Sequence, residues 1–461
     1  MLFLLSLPAV TARLYSSDEV QYFSYLRSLW FDRDVSFENE YQYFYDHNVS
    51  RSDGFHETFL ERQTDAARRV NYATLGCALL WSPFYAVAHL WTRATGGVAD
   101  GFSLPYIRAV AYGSAFYGFL AILLSIRAAR VVLSGLAGTW TLAAGGAGFL
   151  AGVAVWLGTP LLFYMYVAPP FSHAVSAFGV GLFVTVWLHV RREWTARGTF
   201  ALGVCAALLA MIREQDIFVA LGPAVDFGLA LITPTSRLLT SNKLVAAASG
   251  LAGFFLGYLP QLIAYNGLNG YPGPAQHVAR KMYWYAPHGL QVLFSPQHGF
   301  FFWTPLAVLA IVGLIVIALG RAKLVSTDMR RIALCALIMI ASQVYVAGSV
   351  ASWTVAGAFG QRRFVCLTPV LVIGLAGLWH ARRGRSAYDM VLTAALVACV
   401  WWNIALMAQF ATGMMDRQRL EPGRNAYNAF VRLPLETPSL VYRYLTNRES
   451  FYRPPESKGT K

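Results

Sequence analysis

A chain of 461 residues that is 56% hydrophobic and only 13% charged, with a mean hydropathy of +0.46, is excluded from the soluble globular class and reads as a polytopic membrane protein. A net charge of +14 and a pI near 9.6 would suit nucleic acid, but Lys and Arg fall in short clusters between apolar runs. That is the pattern of topology signals, so the expected surface partner is the membrane and no nucleic acid is expected.

In chain order, residues 1–14 carry an apolar run, Met1 to Val10, closed by Arg13. The run is shorter than the ~20 residues a span requires. Pro8-Ala9-Val10-Thr11-Ala12 offers a small-residue cleavage region, yet no basic n-region precedes it. A first transmembrane helix, clipped at its start or completed by tilt, is therefore preferred to a signal peptide.

The stretch Ser16 to Trp30 follows, with the acidic pair Asp18-Glu19. On a helix Asp18, Tyr22, Tyr25 and Leu29 share one face, and Glu19 points about 100° away. Two carboxylates so placed do not share one substrate atom, and Asp18 is the better candidate for chemistry. The polar, aromatic segment to about Asn71 reads as a folded loop with short helices. Within it Asp53, His56 and Glu57 are metal-ligand types at a spacing that matches no zinc or calcium template, so the metal is unknown and a divalent ion stays open. Cys77 to Leu90 is apolar but broken by Pro83, and reads as a juxtamembrane or re-entrant helix tucked against protein.

Ten further apolar runs lie near 105–126, 136–157, 174–190, 198–212, 217–232, 243–265, 299–320, 331–350, 364–380 and 388–411. Basic clusters fall between alternate runs: Arg127/Arg130, Arg191/Arg192/Arg197, Arg237/Lys243, Arg321/Lys323/Arg330/Arg331 and Arg382/Arg383/Arg385. With those loops inside, the expected fold is all-α, with about eleven transmembrane helices. Residues 15–104 form a large first extracytoplasmic loop, 105–411 the transmembrane domain and 412–461 a short outer tail. The Gly/Ala-rich stretch Gly135 to Gly152 reads as close helix packing, since a phosphate loop would need a preceding strand. The five cysteines, scattered mostly through apolar segments, read as small buried hydrophobes.

Several polar groups converge on the expected outer side. They are His173, the Arg213-Glu214-Gln215-Asp216 interruption, His298 in Ser295-Pro296-Gln297-His298-Gly299, Trp353, and Arg362-Arg363. His173 and His298 stand near helix starts, where a hydrogen-bonding role competes with a substrate contact. Arg362-Arg363 violates the positive-inside pattern, which favours a bound anion, and two guanidiniums grip a phosphate well.

At Asp18-Glu19-x-x-Tyr22, just beyond the first apolar run, the chain resembles the GT-C superfamily of membrane glycosyltransferases, in the style of its protein mannosyltransferase and lipid A aminoarabinose transferase branch. The motifs Ser295-Pro296-x-His298-Gly299 with Trp303-Thr304-Pro305, and Phe359-Gly360-x-Arg362-Arg363-Phe364, are similar to bacterial members of that group. The resemblance implies inverting transfer of a sugar from a polyprenyl-phosphate donor to a lipid or glycan acceptor, on the outer side of a bacterial plasma (inner) membrane. It implies catalysis at Asp18 and Glu19, with Asp18 as general base, and substrate contacts at Tyr22, His173, Arg213, His298, Trp353, Arg362 and Arg363. The chain departs from the family in having no Asp or Glu between Leu157 and His189, where a second acidic residue is common. The competing reading is a transporter or flippase of lipid or oligosaccharide, which would favour charges near the bilayer midplane and an internal repeat.

Overall fold

The structure is a computed structural model that describes residues 2–50, 52–134, 142–232, 240–320, 325–381 and 386–451. The expected inner-loop residues Arg237, Arg321, Lys323, Arg382, Arg383 and Arg385, part of the Gly135 to Gly152 stretch, and Pro454-Pro455 lie outside the described residues. Among the described residues the protein is helical throughout, with two isolated bridges, Gln63 to Arg69 and Met282 to Val350, and no strand.

The outer loop begins with α1 (Ser17–Arg27) and closes with α2 (Gly76–Ala94). The apolar runs then form α3 (Leu104–Leu133), α4 (Gly146–Gly158), α5 (His173–Val190), α6 (Ala196–Ile212), α7 (Glu214–Ile232), α8 (Asn242–Asn269), α9 (Leu306–Ala318), α10 (Thr327–Ser349), α11 (Arg362–His380) and α12 (Ala387–Thr412). Seven of these are long and apolar enough to cross a membrane among the described residues, and α4, α6 and α9 are shorter apolar helices. The chain is an α-helical membrane protein. After α12 the tail folds into short helices and α13 (Leu433–Thr446).

Small residues let these helices meet at backbone distance, as packing in a bilayer favours. A Cβ at Gly203 would run into the Gly250 carbonyl, which joins α6 to α8, and one at Gly313 would run into the Gly374 carbonyl, which joins α9 to α11. Opposite the outer loop, a charged knot ties α5, α7 and α10. Fully buried Asp226 accepts from Trp187 Nε1 at 2.9 Å and Arg191 Nε at 2.7 Å, pairs with Arg331, and Arg191 also donates to Asp328 at 2.5 Å. Charges so buried persist because each is paired.

The expected first transmembrane helix over 1–14 takes a different form. Leu2–Ser6 is a five-residue helix followed by a turn, Leu7–Ala9. The physical reason is Pro8, whose ring and missing N–H end the helix, leaving a rise of roughly 8 Å where a bilayer core needs about 30 Å. Helix α2, expected to be broken at Pro83, instead runs on through that proline for 19 residues. Its Cys77, Trp81, Tyr85, Ala88 and Thr92 are buried at helical spacing, while Val87, Leu90 and Trp91 on the opposite side are exposed.

An aromatic core holds the outer loop on the bundle. Phe23 packs edge-on against Phe44 at 5.7 Å and Tyr85 at 6.2 Å, and Tyr25 against Phe37 at 4.8 Å. Each ring buries a large apolar area, so α1 is fixed on two sides by side chains from the segment 37–46 and from α2.

Candidate active site

The site starts with the cap of α1. Ser16 Oγ accepts from the Glu19 N–H at 3.3 Å, while Glu19 Oε2 accepts from the Ser16 and Tyr15 N–H groups at 3.0 and 2.9 Å. This reciprocal box satisfies the free donors of the first turn and turns Glu19 inward. Asp18, one position earlier, is left facing out, at the end of the helix where the backbone dipole favours a negative charge. Gln21 then bonds the chain ahead of α2, its side-chain oxygen accepting from Tyr72 N at 2.8 Å and its carbonyl from Asn71 Nδ2 at 3.1 Å. Thr74 Oγ1 donates to the Ile212 carbonyl at 2.9 Å, and Leu75 N to Gln261 Oε1 at 2.8 Å, so the outer loop is anchored on the end of α6 and on α8 about two turns before its end.

The result is a polar cavity of about 190 Å³ at the end of the helix bundle. Of the residues expected to carry function, Asp18, Tyr22, His173, Arg213, Arg362 and Arg363 all line it. They arrive from α1, the start of α5, the α6–α7 break and the start of α11. Arg362 Nη1 donates to Asp18 Oδ2 at 2.7 Å, and its guanidinium carbon lies 5.5 Å from the centre of the Phe171 ring. Arg363 is buried and donates to the Ser352 carbonyl at 2.9 Å and to Ser352 Oγ at 3.1 Å. Arg213 stands 3.7 Å from Asp216, a fully buried carboxylate that also accepts from Ser176 Oγ at 2.5 Å. His173 is wedged between Tyr164 and Phe171, with ring centres 4.5 and 5.6 Å away, and its Nδ1 is buried without a hydrogen-bond partner.

Glu19, His298 and Trp353 do not line the cavity. Glu19 is fully buried, and burial pushes its carboxyl up to about 8 against the downward pull of the Tyr15 and Ser16 N–H groups. Its place in the capping box makes it a positioning residue for Asp18. His298 takes a left-handed backbone with φ 62° and stacks on Trp303 at 4.9 Å. Its Nε2 lies 2.9 Å from the Ala358 carbonyl oxygen, and burial lowers its affinity for a proton. Trp353 stacks on His288 at 5.3 Å. The carbonyls of His298 and Trp353 accept from Gln361 Nε2 at 3.3 and 3.2 Å, so both residues brace the loop that presents Arg362 and Arg363.

Gln21, Tyr72, Phe171, Ser172 and Gln215 also line the cavity; Gln21, Phe171, Ser172 and Gln215 lie in stretches that stood out in the sequence but were not marked individually, since neutral polar and aromatic residues abound in this chain. Asp216 was visible as part of a charged interruption; its support of Arg213 was not.

Chemically the cavity pairs one carboxylate with three guanidiniums, an excess of positive charge suited to an anion. That donor set does not fit a divalent cation. Asp18 is engaged by Arg362, and among the described residues no three His, Cys, Asp or Glu side chains gather around one point. His56, a metal-ligand type in the outer loop, instead lies with Nδ1 2.9 Å from Glu61 Oε1. No protein-family model matches the chain, and no curated protein matches it.

Proposed function

We propose that the protein is a membrane glycosyltransferase of GT-C type. It transfers a sugar from a polyprenyl-phosphate donor to a hydroxyl of a lipid or glycan acceptor, with inversion, on the extracytoplasmic side of a bacterial plasma membrane. The observation that carries this reading is the meeting of Asp18 with Arg362, Arg213 and Arg363 in one cavity at the membrane end of the bundle. A base and a phosphate site within one small volume are what displacement of a lipid phosphate needs.

Asp18 Oδ2 is held by Arg362, which leaves Oδ1 to take the proton of the acceptor hydroxyl. The acceptor oxygen bonds to the anomeric carbon from the face opposite the phosphate, and the bond from that carbon to the phosphate oxygen breaks with its electron pair. The departing lipid phosphate gains negative charge as the sugar gains oxocarbenium character. Arg362, with donors beyond the one given to Asp18, and Arg213 stabilise that charge. Arg363, held by Ser352, adds positive field and fixes the loop. Tyr22 and Phe171 line the same cavity, where the sugar would sit. The side assignment is supported by Arg127, Arg130, Arg191, Arg192, Arg197, Arg330 and Arg331, which sit at or near the helix ends opposite the cavity.

Asp18→Asn keeps the shape and removes the base. In a transfer assay with purified protein and polyprenyl-phosphate sugars, it is expected to lose at least about 10²-fold in kcat with an unchanged melting temperature. An Asn variant as active as the parent would overturn the assignment. A wild-type protein that moves labelled lipid across vesicles without glycosyl transfer would favour the transporter reading instead.

A further inference from the structure

A second cavity of about 260 Å³ shares Tyr72 as a wall with the first. Its other sides come from the turn Arg62 to Asp65 in the outer loop and from the segment Asn269 to Arg280 after α8, which Thr64 Oγ1 joins by donating to the Leu268 carbonyl at 2.5 Å. The transferase chemistry proposed above makes no use of it.

Its charge is one-sided. Arg62 and Arg280 line it and His277 faces it, against the single acid Asp65. Among the described residues neither arginine is in an ion pair, and Arg280 makes only a long 3.4 Å bond to Gln276. Lys281 adds to this field, with Nζ 5.7 Å from the centre of the Tyr72 ring, and the His277 ring lies 5.9 Å from the same ring. The neighbouring Lys281, Arg62 and Arg280 reinforce the effect of burial in holding His277 below its ordinary proton affinity, as a positive field requires.

Two polar atoms in the walls are buried without partners. The Tyr72 hydroxyl is one, and Oδ1 of Asn269 is the other, in a side chain only 2% exposed whose Nδ2 is spent on the Gly273 carbonyl at 2.8 Å. Both atoms have almost no exposed surface and lie beneath the cavity wall, so it is the two guanidiniums without a carboxylate partner, set against a single acid, that suit the cavity to an anion. Arg62 and Arg280 ask for a molecule with an anionic oxygen. Resting on the transferase reading, we propose that this second cavity binds a phosphate or carboxylate carried by the acceptor, so that the acceptor reaches past Tyr72 to present its hydroxyl to Asp18.

The test uses the full chain in phosphatidylcholine nanodiscs, in an Arg362→Gln background that removes the principal anion contact of the first cavity. Glucose 6-phosphate is titrated, and binding is read by calorimetry. Arg62→Gln with Arg280→Gln is expected to weaken it by at least about tenfold, the cost of losing charged hydrogen bonds. Lys281→Gln, which removes the neighbouring exposed charge and keeps the fold, is expected to weaken it about threefold or more. Affinity within about twofold of the parent in both variants overturns the proposal, as does an absence of binding in the parent. Phosphatidic acid placed in the disc identifies the source: competition assigns the cavity to a lipid head, and its failure assigns it to the acid of a soluble or glycan acceptor. In a transfer assay the double variant should raise KM for an acidic acceptor while kcat stays within about twofold, because uniform binding alone is lost. A working transferase whose KM does not move overturns this proposal and leaves the proposed function standing. Phosphate binding in a chain inert as a transferase overturns the transferase reading and leaves the anion site.

Discussion

Asp18 and Arg362 lie 344 positions apart and meet at 2.7 Å. Each is partly exposed, 39% and 24% by side chain, so their attraction is screened and worth little as a stabilising contact. Their pairing matters for what it poises: a carboxylate and a guanidinium side by side, both open to the cavity. If Arg362 serves the leaving phosphate, Arg362→Ala should weaken donor affinity or slow the chemical step by about 10²-fold, with little change in unfolding temperature. Donor affinity and kcat both equal to wild type would remove Arg362 from the mechanism. Six of the nine residues singled out in the sequence line the cavity. Five of them were legible because a charge or imidazole at the end of an apolar run is costly unless it is paired or used, and Tyr22 because it falls one helical turn after Asp18 on the same face. His298 and Trp353 carried the same kind of local signal, but their side chains turn into packing against Trp303 and His288. Which way a ring turns at a helix start is decided by tertiary neighbours that one-dimensional spacing does not encode.

At the scale of the element, α1 shows how a cap positions a functional group. Asp18 and Glu19 are adjacent and chemically alike, yet the capping box takes Glu19 inside and leaves Asp18 outside. The arrangement carries a pH signature. Burial raises the Glu19 carboxyl from an ordinary 4.5 to about 8. Between those values the folded chain holds a proton that the unfolded chain has released, so stability falls as pH rises through the interval and levels off above about 8. Glu19→Gln keeps an oxygen to accept from the Tyr15 and Ser16 N–H groups and has no proton to lose. Melting temperatures read by tryptophan fluorescence at pH 5.5 and pH 8.5 should therefore fall less in the Gln variant than in the parent, an equal fall ruling out Glu19 as the source. Arg27 makes a second such test. It bonds Glu40 Oε1 at 2.9 Å and also pairs with Asp32, and burial pushes the Glu40 carboxyl up to about 7 even with that partner. Arg27→Ala removes the partner that holds the Glu40 charge, so its carboxyl should stay protonated to higher pH and the loss of stability, read by denaturant unfolding, should be larger at pH 9 than at pH 6, whereas Arg27→Ala with Glu40→Gln should remove that extra loss at pH 9.

Across the whole molecule, charge is sorted by end. The helix ends that meet the outer loop carry the cavity, and the opposite ends carry Arg130, Arg191, Arg192, Arg197 and Arg330 with the Asp226 knot. The ten apolar runs were legible as helices because a bilayer-length stretch of apolar residues has few other ways to satisfy its backbone. The run over 1–14 was not, because its length sits below the threshold at which hydropathy decides and a proline then settles the matter. The proposed orientation follows from the charge sorting, and it is open to a direct test because the native cysteines are buried or half-buried and give little background. Asp53→Cys places a thiol on an exposed position of the outer loop, and Arg192→Cys places one on the exposed turn after α5 at the opposite end. A membrane-impermeant maleimide added to intact cells should label Asp53→Cys at once and Arg192→Cys only after permeabilisation. The reverse pattern would put the cavity on the cytoplasmic side, where the donor leaflet and the acceptor proposed above would both have to change. Labelling of both in intact cells would mean that α3 to α5 do not carry the chain across an odd number of times between the two positions, which would break the topology on which the shared outer face of Asp18 and Arg362 rests.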